Sequence, residues 1–300
     1  MKLRHLKYFA MLAEELNFHR AAARLHISQP PLTRQIQMLE EEMGARLFSR
    51  NAHGVELTPA GQTLREEAQR ILGMVALAKE RTGKAGRGQI GRLDVGIFGS
   101  AIFYHIPRLL LQFRNRYPEV EIALHQLPRA EQIKALRERR LAVGISRRVP
   151  EEPDIVVETV FREPLVIALN RAHPLARRKA IRIAEIVNEP LILYPSKIRP
   201  GLVDDVMVLM AREGARPRVV QEVTDVVTAV ALVASGFGIC VTPEAASSLR
   251  LPGVVYRSIK DKPPPSIELA CLYRRDDESP ILAAFLAITR KYRPAPADSR

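Results

Sequence analysis

The sequence is poor in cysteine and has no long apolar run, and both absences exclude classes of protein. Cys240 and Cys271 are the only cysteines among 300 residues, and both have apolar neighbours. This setting favours buried reduced thiols over a disulfide, a metal pair or a nucleophile. No segment reaches the roughly 18–20 apolar residues of a membrane-spanning helix, and the basic N-terminus leads into an amphipathic helix, unlike a signal peptide. We expect a cytoplasmic protein with no membrane partner.

The sequence also lacks the motifs of common enzymes. It contains no HExxH, no GxSxG, no P-loop and no Rossmann fingerprint placed after a strand. Its seven histidines show no metal-ligand spacing. Ser100 and His105 lie five positions apart with a predicted helix between them, which gives no reason to expect a nucleophile in contact with its base. We therefore predict no enzymatic activity, no metal and no cofactor.

The segment 18–50 has the pattern of two short helices separated by a tight break. The first has a single apolar face made of Phe18, Ala21, Ala22 and Leu25. The second has an apolar face at Leu32, Ile36, Leu39 and Met43, and a polar face at Gln29, Thr33 and Gln37 with Arg34 beside it. A helix that is buried on one side and carries short polar groups and an arginine on the other can read base edges in a major groove. The segment predicts a DNA-binding module.

The start of the second helix suggests a phosphate contact. Ser28 occupies the N-cap position, but Pro30 and Pro31 follow where a capping hydroxyl would find its N–H donors. Proline is tolerated there because the first-turn N–H groups have no partner within the helix. The hydroxyl of Ser28 is then free either to meet a DNA phosphate or to bond water.

The same residues carry a family resemblance. The segment RHLKYFAMLAEELNFHRAAARLHISQPPLTRQIQMLEEEMGARLFSR, followed by LTPAGQTL, resembles the winged helix-turn-helix of LysR-type transcriptional regulators. LFSRNAHGVELTPAG resembles the wing of that family, with short strands and a tip at 51–54. The resemblance implies double-stranded operator DNA and RNA polymerase as partners and an activating role. The predicted DNA contacts are Ser28, Gln29, Pro30, Pro31, Thr33, Arg34, Gln37, Arg50 and His53.

The net charge of +13 is spread over the whole chain. Residues 1–88 hold fourteen basic and nine acidic residues, a net +5, which attraction to DNA explains. Residues 89–300 hold thirty-two basic and twenty-four acidic residues, a net +8. This second excess is compatible with an anionic small molecule, although solvated surface charge is the alternative for most of these residues.

A long helix is predicted from Pro59 to about Lys84. Its apolar stripe needs a partner helix, and in LysR-type proteins that partner is the same helix of a second subunit, packed antiparallel. The stripe consists of Leu64, Ala68, Ile71, Leu72, Val75 and Leu77. The resemblance implies a homodimer and, by analogy, a homotetramer. The Gly-rich segment 83–92 superficially resembles a phosphate-binding loop, but it follows a helix and lacks the Gly-Lys-Ser/Thr ending, so we interpret it as a hinge.

Beyond Gly91 the sequence alternates between strands and helices, which predicts α/β layers with a mostly parallel sheet. Two strands without a helix between them, IVVETVF and PLVIALN, suggest a crossing between two subdomains near Val156–Leu169, with a return through Ser266–Tyr292. A short helix is predicted at AEIVN. By resemblance this is a two-lobed effector domain like the type II periplasmic binding proteins, which gives the chain an α + α/β fold class. The predicted domains are 1–58 (winged helix-turn-helix), 59–88 (linker helix and hinge) and 89–300 (effector domain, with lobe I about 89–161 and 266–300 and lobe II about 162–265).

Four loops that follow predicted strands converge on the cleft between these lobes. Ligands of open α/β sheets bind beyond the carboxyl ends of strands and at helix N-termini. Ser100 can offer a hydroxyl there, and arginines can grip carboxylates; the alternative is that each arginine faces solvent or pairs within the fold. The predicted effector contacts are Ser100, Arg129, Arg147, Lys197, Arg199, Pro200 and Leu202.

Several short segments resemble one branch of the family. GIFGS, ISR, LYPSKIRPGL and GICVTP are similar to the regulators of catechol, benzoate and chlorocatechol degradation, which implies an effector such as cis,cis-muconate or a chloromuconate. Arg129 replaces a residue that is often a small hydroxyl one, and Leu202 replaces an aromatic residue. These departures leave open a different anion or a halogenated diacid. The alternative function is a small-molecule-binding protein without regulatory activity.

Overall fold

The computed structural model describes residues 1–51, 54–194 and 199–292, and it divides into two compact units, Met1–Lys84 and Ala85–Arg300. The elements of the first unit are α1 (Leu3–Glu15), α2 (Phe18–Arg24), α3 (Gln29–Met43), β1 (Phe48–Asn51), β2 (Gly54–Leu57) and α4 (Pro59–Gly86). Local chemistry sets their ends. The Asn17 side chain accepts hydrogen bonds from the N–H groups of His19 and Arg20 and so begins α2. Gly44, in the left-handed conformation, ends α3.

The helices of the first unit bury the apolar faces that the sequence predicts, with two differences. Phe18, Ala21 and Ala22 of α2 are buried, and so are Leu32, Ile36 and Leu39 of α3. Leu25 is half-buried against the same core. The prediction that Met43 shares this face is wrong, because Met43 is the last residue of α3, directly before Gly44, and is 37% exposed. In α1, Leu6, Phe9, Leu12 and Ala13 form the corresponding buried face.

The linker helix α4 packs its first half on the core of its own chain. Ala68 is fully buried there, and Leu64, Ile71 and Leu72 are half-buried against the same cluster. The prediction that Ala68 lies in a seam between subunits is therefore wrong, since its side chain has no surface left to offer. Farther along, Val75 and Leu77 are exposed. The helix continues to Gly86 and the next strand begins at Ile90, so the break is shorter than the predicted 83–92.

The second unit contains strands and helices in alternation. Its strands are β3 (Ile90–Ile97), β4 (Glu119–Gln126), β5 (Val143–Arg147), β6 (Ile155–Asn170), β7 (Ala180–Ile181), β8 (Pro190–Leu193), β9 (Arg218–Glu222), β10 (Cys240–Pro243), β11 (Val254–Ile259) and β12 (Ser266–Arg274). Its α-helices are α5 (His105–Arg116), α6 (Arg129–Arg137), α7 (Leu202–Arg212), α8 (Val226–Ala234) and α9 (Pro280–Thr289). Short 3₁₀ helices occupy Ser100–Phe103, Pro174–Arg177, Ile183–Glu185 and Glu244–Ser248. The short helix predicted at AEIVN is thus a 3₁₀ turn that begins one residue earlier.

One strand joins the two lobes of this unit. The two predicted strands IVVETVF and PLVIALN form a single strand, β6, of 16 residues. Its first part pairs with β12, from Ile155↔Arg274 to Pro164↔Ser266, and its last part pairs with β10 and β11. This confirms the predicted crossing. The strand order of the sheet is β4-β3-β5-β12-β6-β11-β7, with β10 also paired to β6. Strands β4, β3 and β5 pair in parallel, whereas the pairs around β12 and β6 are antiparallel. The predicted parallel arrangement is therefore found only towards the ends of the sheet.

Each lobe has its own apolar core, and each core holds one cysteine. Cys271 lies in the core of lobe I and Cys240 in the core of lobe II. Both are free and buried, as predicted. Burial raises the pKa of both thiols to about 12, so both stay protonated at neutral pH. Among the described residues, none of the helices is both long and apolar enough to cross a membrane.

Candidate DNA-contacting face and effector cleft

The recognition helix α3 begins as the sequence predicts. Ser28, its N-cap, has extended backbone geometry and makes no capping hydrogen bond, because Pro30 and Pro31 occupy the positions whose N–H groups would donate to it. Gln29 and both prolines are exposed. The Ser28 hydroxyl is thus not used as a helix cap, and its contact with a phosphate stays a prediction.

The polar face of α3 is open to a partner. Arg34 and Gln37 are exposed on it, and Thr33 is half-buried. The Thr33 hydroxyl donates its proton to the carbonyl of Gln29 at 3.2 Å. Its oxygen lone pairs therefore remain to accept a hydrogen bond from a donor on a base edge. Leu32 and Ile36 anchor the opposite side of the helix in the core. The helix therefore presents one row of donors and acceptors on a rigid support.

The wing is held in place by the recognition helix itself. Oε1 of Glu40 accepts hydrogen bonds from the N–H groups of Leu47 at 2.7 Å and Phe48 at 3.1 Å. β1 and β2 then pair antiparallel from Phe48↔Leu57 onward as the predicted short strands. The side chain of Arg50 and the whole of His53, both predicted DNA contacts, lie outside the described residues.

A cavity of about 250 Å³ lies in the cleft between the two lobes of the second unit. Ser100, Arg147 and Leu202, three of the predicted effector contacts, line it. Its walls are otherwise largely apolar: Phe98, Ile102, Phe103, Val226, Val227, Pro243 and Ile267 contribute to them. Such a cavity suits a small molecule with an apolar body and a few polar groups.

Ser100 is a polar residue of the cavity wall whose hydrogen bonding is unsatisfied, as is that of Nε of Arg147. Its side chain is buried, and its Oγ has no hydrogen-bond partner of normal geometry among the described residues. The neighbouring hydroxyl of Tyr194 interacts only weakly with Ser100 and makes its close hydrogen bond with Oγ1 of Thr242, at 2.6 Å. Burial raises the pKa of Tyr194, so it stays protonated. A buried hydroxyl without a partner costs free energy unless a ligand or water satisfies it.

Arg147 enters the cavity from an ion-pair cluster. Its Nη2 donates to Oε2 of Glu163, whereas its buried Nε has no hydrogen-bond partner among the described residues. Glu163 is 1% exposed; it also accepts a hydrogen bond from the N–H of Ala245 at 2.5 Å and lies 3.5 Å from Nε2 of His105. Burial alone would raise the pKa of the Glu163 carboxyl, but the Arg147 guanidinium and these hydrogen bonds outweigh it and hold that pKa at about 2. Glu163 is therefore ionised and fixes one edge of Arg147.

The prediction that Arg129 binds an effector is wrong in this structure. Its guanidinium donates to backbone carbonyls of both lobes: Nη1 to Arg148 and, at 2.8 Å, to Pro200, and Nη2 to Arg199 at 2.9 Å. Arg129 is 7% exposed and is not part of the cavity wall. Its Nη1 and Nη2 groups bind these carbonyls, so Arg129 ties the loop after β5 to the loop before α7.

Two further predicted contacts also have other roles. Nη1 of Arg199 pairs with Oδ1 of Asp204 at 2.5 Å, and neither Arg199 nor Pro200 lines the cavity. The arginine alternative noted above, pairing within the fold, thus holds for Arg129 and Arg199. Lys197 lies outside the described residues.

Sequence reasoning missed part of the cavity wall. Gln126 and Tyr194 at strand ends belong to it, as does the segment 224–227 at the start of α8. Asp225 caps α8 by accepting a hydrogen bond from the N–H of Thr228 at 2.8 Å. The sequence held one signal for this segment, the helix-capping residue Asp225 shortly after the strand RVVQEV. The carboxyl end of a strand in an α/β sheet faces the ligand, so this position could have been predicted to line the cavity.

Two family models match the chain. Residues 3–62 match "Bacterial regulatory helix-turn-helix protein, lysR family", and residues 86–293 match "LysR substrate binding domain". The chain belongs to the LysR family. It is therefore a DNA-binding transcriptional regulator with a small-molecule-binding domain, and it is not an enzyme. The prediction of a LysR-type fold is confirmed.

Known relatives cover nearly the whole chain of this LysR regulator. The HTH-type transcriptional regulator TfdS of Cupriavidus pinatubonensis is 40% identical over 97% of this chain and 98% of its own. The crystal structure of CbnR, a LysR family transcriptional regulator, has a TM-score of 0.91 at 34% identity and covers 97% of this chain and 100% of its own. CbnR has also been solved with its target DNA, with a TM-score of 0.84 at 33% identity and coverage of 97% and 99%. The BenM effector-binding domain with its effector benzoate has a TM-score of 0.62 at 28% identity, over 67% of this chain and 91% of its own.

Proposed function

We propose that this LysR regulator activates genes of aromatic-compound catabolism in response to a small carboxylate bound in the cleft cavity. The observation that carries the proposal is a largely apolar cavity lined by Arg147 and by Ser100, whose buried hydroxyl lacks a hydrogen bond of normal geometry among the described residues. The resemblance of GIFGS, ISR and LYPSKIRPGL to regulators of catechol and chlorocatechol degradation supports it. So does the benzoate bound by BenM, a monocarboxylate of the same chemical class.

The cavity offers one end for a carboxylate and further donors for a second. A Cβ atom placed on Gly99 would lie 3.7 Å from Nη1 of Arg147, so this guanidinium edge reaches the backbone directly before Ser100. Across the cavity lie the N-termini of α7 and α8, at Leu202 and Val226. Asp204 and Asp225 already accept the N–H groups of Gly201 and Thr228 there, and the first two N–H groups of each helix have no partner within it. The apolar walls between them suit a short unsaturated carbon chain. This arrangement supports a muconate-type diacid such as cis,cis-muconate or a chloromuconate.

Calorimetry of the full chain against a panel of mono- and dicarboxylates tests the effector. Ser100→Ala should weaken binding of muconate about fivefold, because one hydrogen bond to a charged group is lost. The control Ser248→Ala changes an exposed hydroxyl outside the cavity and should bind as the wild type does. Binding of no anion in the panel would contradict the cavity assignment. Preference for a monocarboxylate would keep the cavity and remove the diacid.

We propose that α3 reads the operator through Gln29, Thr33, Arg34 and Gln37, with Ser28 on a phosphate. Arg34→Ala should weaken operator binding by about 1–3 kcal/mol if Arg34 grips a base edge, and it should relax the preference for one base pair. Gel shifts with operator and scrambled duplexes measure both effects. Arg70→Ala, an exposed residue of α4 that pairs with Glu67, is the control and should bind as the wild type does. Equal binding by Arg34→Ala would show that the polar face of α3 is not the reading face.

The proposed assembly is a homodimer through α4, and a homotetramer by analogy with the family. Ala68 is excluded from the seam. Val75 and Leu77 are exposed apolar residues on the half of α4 beyond the core, and Leu64, Ile71 and Leu72 retain partial exposure.

The proposal also includes the domain boundaries at 58/59 and 88/89 and a division between the lobes near 161/162 and 265/266. Contact with RNA polymerase follows from the proposed activating role.

A further inference from the structure

Lobe II carries a second concave surface, apart from the effector cavity. The loop that follows β6 and the segment from the 3₁₀ helix at Glu244–Ser248 through β11 border a groove of about 860 Å³. A backbone hydrogen bond from the N–H of Arg171 to the carbonyl of Gly253, at 2.7 Å, holds the two borders together. Arg257 adds a second tie, because its Nε and Nη2 donate to the carbonyl of Ala176 at 3.0 and 2.6 Å. We call this surface the basic groove.

The basic groove concentrates positive charge that DNA recognition and the effector cavity leave unused. Its cations are Arg171, Arg177, Arg178, Lys179, Arg250 and Arg257. Glu244 is the one carboxylate among the residues that line the groove, so these residues carry a net charge of +5. The whole segment 89–300 has a net charge of +8. Arg178 pairs with Glu185 at 2.8 Å. Arg171, Arg177, Lys179 and Arg250 are exposed and have no ion-pair partner among the described residues.

The floor of the basic groove is apolar, unlike its rim. Val254 is buried, and Leu251 and Val255 are half-buried. Tyr256 is half-buried too, with its hydroxyl donated to the carbonyl of Leu249 at 2.9 Å, so its ring rather than its polar end remains for contact. An apolar floor gains nothing from phosphate groups, which need only the cations of the rim. It does gain from burying apolar side chains.

We propose that the basic groove is a docking surface for an acidic, amphipathic segment of a partner protein. Carboxylates of such a segment would pair with Arg171, Arg177 and Lys179 along the rim, and its apolar side chains would cover Leu251 and Tyr256 on the floor. The unpaired cations of the rim supply charge complementarity and speed encounter at low salt. The site lies outside the effector cavity and does not depend on which effector the protein binds.

The test uses the full chain saturated with operator DNA, so that the recognition face is occupied. The probe is a fluorescent peptide of repeated Glu-Glu-Leu-Leu units, and anisotropy measures its binding. The variant Arg171→Gln, Arg177→Gln, Lys179→Gln should bind the peptide about tenfold more weakly, because three exposed ion pairs are lost. The matched control Arg114→Gln, Arg116→Gln, Arg212→Gln removes three exposed arginines outside the groove and should bind as the wild type does. A peptide of glutamate alone should bind more weakly than the amphipathic one.

Three results would overturn the proposal. The first is absence of peptide binding to the wild-type protein. The second is equal loss of binding in the groove variant and in the control variant, which would mean a general charge effect. The third comes from non-operator DNA: a lower salt dependence of DNA affinity in the groove variant than in the control would assign the groove to DNA phosphates.

Discussion

Replacing Arg147 with methionine should lower the free energy of unfolding of the effector domain by about 3–5 kcal/mol at pH 7. The reason is Glu163, which is 1% exposed and relies on Arg147 for its ionised state. Without the guanidinium, a buried carboxylate keeps only the N–H of Ala245 and the His105 ring as partners. Urea denaturation followed by circular dichroism measures the loss, in the transition of the effector domain.

The pH dependence of this loss distinguishes a charge effect from simple loss of packing. In the wild type the pKa of Glu163 is held at about 2, below its ordinary value of 4.5, so the stability it contributes is present above about 4.5 and is lost as the pH falls towards 2. In the variant, burial should raise that pKa instead. The carboxyl then takes up a proton as the pH falls from 7 to 4.5, and the difference from the wild type should shrink.

The control for this prediction is Arg139→Met. Arg139 pairs with Asp276 at 3.4 Å, but both side chains are about 70% exposed, so its loss should cost less than about 1 kcal/mol at either pH. A difference between Arg147→Met and the wild type that stays constant from pH 7 to 4.5 would mean that Glu163 is not held ionised by Arg147.

Replacing Arg129 with methionine should lower the free energy of unfolding by about 2–3 kcal/mol, because charged hydrogen bonds to the carbonyls of Arg148, Arg199 and Pro200 are lost at once. The loss should be nearly independent of pH between 5 and 8, since no titrating partner is involved. Hydrogen exchange should also rise in the two loops that contain those carbonyls. Thermal and urea denaturation measure the first effect, and exchange mass spectrometry measures the second.

Arg199→Met is the matched control for Arg129. Arg199 belongs to one of the same loops, but its side chain is 46% exposed and pairs with Asp204 within one turn of α7. Its loss should cost no more than about 1 kcal/mol. If the two variants lost equal stability, the tie between the lobes would not be the reason for the burial of Arg129.

The periodic patterns of the sequence predicted the elements well, and the long-range polar contacts could not be predicted in the same way. The spacing of Leu32, Ile36 and Leu39 fixes the buried side of α3 because a helix repeats every 3.6 residues. Ser100 was identifiable because a strand end before a helix start is a local feature. The fate of Arg129 depends on carbonyls some seventy residues away in sequence, and no local pattern encodes such a partner.

The same distinction explains the errors at the effector cleft. An arginine at a loop near the cleft can turn towards the ligand or towards the backbone, and only the packed structure decides between them. Arg147 points into the cavity because its guanidinium pairs with Glu163, which lies on β6, the strand that joins the two lobes. Phe98, Phe103 and Tyr194 in the cavity wall resemble ordinary core residues in sequence, so nothing marked them as lining a cavity.

The unbroken course of β6 determines how the two lobes can move. The lobes are joined by a hydrogen-bonded ribbon of β6 and β12, not by two flexible loops. The register of this ribbon shifts between Leu269 and Ala270, an irregularity of the kind that bends a strand and increases its local twist. We therefore expect ligand binding in the cleft to change the twist of this ribbon. One lobe should then rotate slightly about the ribbon axis, in place of a hinge closure of the two lobes.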